Sequence, residues 1–159
     1  MIKVVDFEPR LAPALPETYR LLLTANLTLH PAVERVVLHG SRGLAGGCRV
    51  DSDMDLSLIV DPSAWSTHSD PAALFHTVLE TTLTNWSASI ELDLAVVFDV
   101  RRCSLKCFDM DSWDDSFCTQ GGMDCFGLYK TQKGFNGLVT NAGVQVKRMI
   151  PCLKIWQRP

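Results

Sequence analysis

Residues 53–60 read Asp-Met-Asp-Leu-Ser-Leu-Ile-Val, and the alternation that opens this run constrains the chain more than any other feature. At a period of two, Asp53, Asp55 and Ser57 fall on one face of an extended segment, and Met54, Leu56 and Leu58 on the other. The apolar face calls for a packed core, and the carboxylate face for water, hydrogen bonds or a cation. Residues 90–98 repeat the pattern: Glu91, Asp93 and Ala95 share one face, and Ile90, Leu92, Leu94 and Val96 the other. A third β-branched, apolar run at 33–38 leads into His39-Gly40-Ser41 and reads as a strand delivering the chain to a turn.

The segments between these runs supply helices and loops. Gly43, Gly46 and Gly47 make the stretch after Ser41 a loop or a short irregular helix. Asp70-Pro71 opens a helix, with Asp70 as N-cap, Pro71 at the first helical position, and Leu74, Phe75, Val78, Leu79, Thr82 and Leu83 as its buried stripe. Residues 9–16, with three prolines, read as an irregular lead-in, and 17–30 carry a partly helical period ended by His30-Pro31. Beyond residue 100 the patterning weakens. Strands are expected at 103–108, 126–129 and 153–156, an Asp-, Gly- and Ser-rich excursion at 109–124, and a short helix at 141–149. The order helix, strand, turn, strand, helix, strand predicts an α/β (α+β) domain, a small mixed sheet with helices packed on one side.

Composition narrows the function classes. At 159 residues, with 47% hydrophobic and 21% charged residues, the chain reads as one globular domain spanning 1–159. A net charge of −3 argues against a protein that grips extended nucleic acid through a broad basic face. No window approaches the ~20 apolar residues of a membrane span. The N-terminal decapeptide lacks the apolar core of a signal peptide, so a cytoplasmic location is expected. Six cysteines stand at 48, 103, 107, 118, 125 and 152. The spacings within Cys103/Cys107 and Cys118/Cys125 match zinc knuckles poorly, which leaves thiols as the expected state. Lys130, Lys133, Lys147 and Arg148 could reach phosphate, but solvated lysines and arginines are the commoner explanation.

The chemistry lies in the carboxylates. Two residues apart on a strand, Asp53 and Asp55 project roughly 7 Å from each other on one face. Such a pair can share divalent cations, and two-metal sites hold their ions ~3.5–4 Å apart. Hard oxygen donors suit Mg²⁺, completed by water and substrate phosphates. Asp93, which interrupts an apolar strand, is the natural third ligand, with Glu91 on the same face as the alternative. Gly40-Ser41, at a strand end, can offer backbone N–H groups and a hydroxyl to a phosphate, and Arg42 could pair with phosphate oxygens in bidentate fashion. Asp51, Asp53 and Asp55 also match the first ligand positions of an EF-hand loop. Leu56 then stands where that loop needs Gly, and Pro62 where it needs Glu.

The run from His39 through Asp61 resembles the signature of the DNA polymerase β-like nucleotidyltransferase superfamily, in its minimal nucleotidyltransferase form. That signature is Gly-Ser, a gap (here eleven residues, 42 through 52), an Asp-apolar-Asp pair, and a third carboxylate between apolar residues, here Leu92-Asp93-Leu94. The match covers a motif core at 33–98, with 100–159 as a family-specific C-terminal extension. His39 departs from the apolar or small residue that usually precedes the Gly. The resemblance implies an Mg²⁺-dependent enzyme with two ions, moving AMP or another nucleoside monophosphate from an NTP such as ATP to a hydroxyl on a small molecule or protein. It implies that Gly40, Ser41 and Arg42 bind nucleotide, that Asp53 and Asp55 hold both ions, and that Asp93 binds the ion nearer the acceptor and helps deprotonate it. Because some minimal members act as antitoxins, a partner-binding module for a cognate toxin-like protein is the alternative.

Overall fold

The three alternating runs lie side by side at the centre of one sheet. In the computed structural model, residues 1–99, 125–140, 142 and 151–159 are described. Along them the chain forms β1 (Ile2–Lys3), α1 (Leu11–Ala14), α2 (Pro16–Thr24), β2 (Thr28–Leu29), β3 (Val33–His39), β4 (Met54–Val60), α3 (Pro62–Trp65), α4 (Pro71–Asn85), β5 (Leu92–Phe98), β6 (Gly127–Lys130), β7 (Gly137–Val139) and β8 (Leu153–Gln157). Six strands order as β7-β6-β5-β4-β3-β8, and β1 and β2 pair separately. Only β4 and β5 run parallel within that sheet, because α3 and α4 form the crossover that parallel neighbours need. The protein is a small α+β domain with a mixed sheet.

Alternation sorts the sheet residues into two cores. Val36, Leu38, Met54, Leu56, Leu58, Leu92, Leu94 and Val96 face the helices, where Leu11, Leu22, Phe75, Val78 and Leu79 meet them. On the other face Val37, Ile59, Ala95 and Val97 pack with Cys125, Phe126, Leu128 and Cys152. The second face is open toward one end. In β4 and β5 alike, the second residue is half-buried and every other residue is buried; those two residues are Asp55 and Asp93.

Helix α4 begins as its sequence directs. The Asp70 carboxylate accepts from the Ala73 N–H at 3.2 Å, and Pro71 occupies the first turn. Its aromatic contacts lock the crossover: Phe75 stacks on Phe98 at 4.4 Å between centroids, with Trp65 edge-on to Phe98 at 5.2 Å. At the far end the Trp86 indole N–H donates to the Ile90 carbonyl at 2.9 Å and fixes the entry to β5.

Three expectations are revised. The helix expected over 17–30 ends at Thr24, because Asn26 takes a left-handed φ of 52° and turns the chain into β2. The strand expected from 90 starts at Leu92, and the lead-in expected to be irregular at 9–16 contains α1; β7 was not anticipated. Strand β6 falls at Gly127–Lys130 and β8 at Leu153–Gln157, within a residue of the expected limits. The strand at 103–108, the excursion at 109–124, Cys103, Cys107, Cys118 and all but residue 142 of the helix at 141–149 lie outside the described residues. Cys125 and Cys152 are buried and Cys48 is exposed. No described helix is long and apolar enough to cross a membrane.

Candidate metal and phosphate site

Register builds the site. In the parallel ladder Asp55 stands directly opposite Asp93, and in the antiparallel ladder on its other side His39 stands opposite Asp55. Neighbouring strands are about 4.8 Å apart, so the two carboxyl groups are held within hydrogen-bonding reach. Asp53 lies two residues before Asp55, on the same face. One carboxylate oxygen from each of Asp53, Asp55 and Asp93 falls within 4.8 Å of the others. Glu91 is exposed and not part of this group; its carbonyl accepts the Met54 N–H at 2.9 Å.

Gly40 fits against this cluster in a way no other residue can. Its φ is +72°, and a Cβ added there would lie 2.0 Å from the Asp55 Oδ2. The missing side chain therefore lets the β3 end and the Asp55 carboxyl share one space. The Gly43 N–H donates to the Gly40 carbonyl at 3.0 Å and closes the turn in which Ser41, half-buried, follows.

Arg42 is held by the loop that precedes Asp53. Expected on phosphate, it is instead buried, with Nε donating to the Ser52 carbonyl at 2.8 Å and Nη2 to those of Arg49 at 3.0 Å and Val50 at 3.2 Å. Its own carbonyl accepts from Thr18 Oγ1 at 2.7 Å. The loop before Asp53 has no strand to satisfy these carbonyls, and the five-donor guanidinium serves in its place. Arg42 thus fixes the chain that delivers Asp53. His39 is also buried, with Nε2 2.9 Å from the Ser57 hydroxyl.

The charges are unevenly compensated. Lys133 Nζ donates to Asp53 Oδ2 at 2.7 Å, which holds the Asp53 carboxyl below, and the Lys133 ammonium above, its ordinary range. Lys130 forms an ion pair with Asp93. Asp55, between them, is pushed up to about 7, first by burial, then by its hydrogen bond with Asp93 and the charges of Asp93 and Asp53. A cavity of about 250 Å³ adjoins Asp55 and Asp93, with Lys130 and Phe135 among its walls.

The trio fits a hard divalent cation on its own chemistry. All three donors are carboxylate oxygens and all are half-buried, and burial with the neighbouring carboxylates pushes the central one up to about 7, so that a cation placed among them would favour its ionised form.

Both lysines belong to the β6–β7 hairpin, far along the chain from the aspartates. Between them, Gln132 donates from Nε2 to the Leu92 carbonyl at 2.9 Å and accepts the Leu94 N–H at 3.1 Å, bracketing Asp93. Neither Gln132 nor Phe135 carries a sequence signal that would have selected it. Comparison of the chain with family models, with curated proteins and with solved structures found no match in any of the three.

Proposed function

We propose that the chain is a metal-dependent nucleotidyltransferase of the DNA polymerase β-like type, cytoplasmic, moving a nucleoside monophosphate from a triphosphate to a hydroxyl and releasing pyrophosphate. The observation that supports this reading is the meeting of Asp53, Asp55 and Asp93 beside the Gly40-Ser41 turn, with Asp55 packed against the glycine itself. Asp53, Asp55 and Asp93 are the residues that would hold two Mg²⁺ ions. Bound there, magnesium supplies charge neutralisation for the phosphates and for the attacking oxygen. The turn offers its backbone N–H groups and the Ser41 hydroxyl to phosphate oxygens. Asp93, on the side of the cavity, takes up the proton of the acceptor hydroxyl. Orientation in the cleft between turn and carboxylates does the rest, since phosphoryl transfer is governed by positioning and electrostatics.

Calorimetry with ATP, GTP, CTP and UTP in Mg²⁺ tests the reading. At least one triphosphate binds the wild-type chain in a metal-dependent manner, and Asp53→Asn and Asp55→Asn abolish that binding. Absence of binding by all four, or unchanged binding by both variants, overturns it.

A further inference from the structure

With Arg42 committed to the loop carbonyls, the cations that meet the carboxylate trio come from the β6–β7 hairpin. Among the described residues, both ion pairs of the trio are made by this hairpin, Lys130 with Asp93 and Lys133 with Asp53. The hairpin is aimed, not merely nearby. β6 pairs with β5 only over Val96–Phe98, and beyond that ladder the Gln132 amide takes over, bonding the backbone on either side of Asp93. Lys133, at a φ of 57°, and Gly134, at 86°, then turn the chain back. Lys130 and Lys133 flank Gln132, so the clamp that grips β5 also sets both ammonium groups over the carboxylates.

We infer that Lys130 and Lys133 are exchangeable counter-ions, paired with Asp93 and Asp53 until divalent ions take those carboxylates, and then with the polyphosphate chain that arrives with the ions. The inference rests on the nucleotidyltransferase reading and names part of its phosphate site. A divalent cation and an ammonium cannot share the same carboxylate oxygens at ion-pair distance without strong repulsion. Once displaced, each ammonium remains on a flexible four-carbon stem anchored by the Gln132 clamp, next to the ions and so next to their anion. The Lys130 ammonium, while paired with Asp93, also lies 5.7 Å from the Phe135 ring centroid, an attraction that does not depend on the carboxylate. Lys133 is half-exposed, where an ion pair contributes little to folding, so its aim at Asp53 is poorly explained by stability alone.

Exchange predicts effects of opposite sign, which a purely structural ion pair does not. Mn²⁺ alone, and inorganic tripolyphosphate in saturating Mn²⁺, are titrated by calorimetry into the wild-type chain, Lys133→Met and Lys133→Arg. Removing the competing ammonium should raise Mn²⁺ affinity about 3-fold. Losing a charge-assisted phosphate contact should lower tripolyphosphate affinity about 10-fold or more. Lys133→Arg restores both toward wild type. The exposed position of Lys133 makes it the variant that keeps its fold, and Lys130→Met repeats the measurement at the more buried pair. Shifts of the same sign, or none, overturn the exchange. Mn²⁺ binding to the wild type without tripolyphosphate binding also overturns it while leaving the metal site standing. No Mn²⁺ binding at all overturns the underlying nucleotidyltransferase reading and the exchange together.

Discussion

Replacing Asp55 by Asn removes a charge that the metal-free fold accommodates badly. Burial and the neighbouring Asp93 and Asp53 raise this carboxyl from 3.8 to about 7. Below 3.8 the folded and unfolded chains are both protonated here, and Asp55 has no effect on stability. Between 3.8 and about 7 the unfolded chain has released a proton that the folded chain keeps, so stability falls as pH rises; above about 7 the penalty is constant. The whole displacement corresponds to about 4 kcal/mol. Partial exposure of the carboxyl screens this to about 2 kcal/mol. Asn keeps the shape and can donate its amide to Asp93. In chelator, Asp55→Asn should therefore melt about 4–8 °C above the wild type near pH 8, and with it near pH 4. Asp53 and Asp61, whose carboxyls are lowered, act with the opposite sign. Their contribution is present above 3.8 and is lost only as pH falls through the lowered values, outside this window. Circular-dichroism melts across the range check the prediction. Parallel curves for the two proteins, or a variant less stable than wild type near pH 8, would refute the reasoning. Saturating Mn²⁺ should reverse the order, because the ion stabilises only the chain that binds it.

Two further substitutions probe the parts around the trio. Gly40→Ala places a side chain at a φ of +72° and drives its Cβ to 2.0 Å from the Asp55 Oδ2. The left-handed backbone alone costs about 1–2 kcal/mol, and displacement of Asp55 should weaken Mn²⁺ binding about 10-fold or more, both read from melts and calorimetry. Arg42→Met removes the guanidinium donor from the Ser52, Arg49 and Val50 carbonyls, of which Arg49 keeps the Ser52 N–H at 3.1 Å, and should destabilise the chain by about 2 kcal/mol, with Arg42→Lys in between. Were Arg42 a phosphate ligand, Arg42→Lys would instead melt like wild type and lose tripolyphosphate affinity.

What could be read in advance depended on how local the cause was. Met54 to Leu58 and Leu92 to Val96 carry their fold in period two, and Asp70-Pro71 announces α4 through a cap that involves residues three apart. Asp53, Asp55 and Asp93 were legible for the same reason, since a charge in an apolar strand stands out. Arg42 misled because adjacency to Gly40-Ser41 suggests phosphate, whereas its direction is set by the carbonyls of residues 49, 50 and 52, whose lack of a strand partner no pattern announces. The helix expected over 17–30 failed on one backbone torsion, at Asn26. Lys133 lies 80 positions from Asp53, and its approach depends on β6 pairing with β5 and on a glutamine replacing missing ladder bonds. Nothing in a window of ordinary length encodes such a contact.

The pairing of Asp55 with Asp93 across β4 and β5 has a consequence for assembly. Side chains alternate, so a slip of one residue between these strands would turn one carboxylate into the helix-facing core and leave its partner alone. The carboxylate trio consequently exists only in the correct alignment, which in turn requires the whole crossover through α4 to be in place. A bound ion would act as a proofreader of the sheet: it rewards the one alignment that presents three oxygens together and gives misaligned chains nothing. Slow or failed uptake of Mn²⁺ during refolding would then mark chains whose central strands have paired out of step.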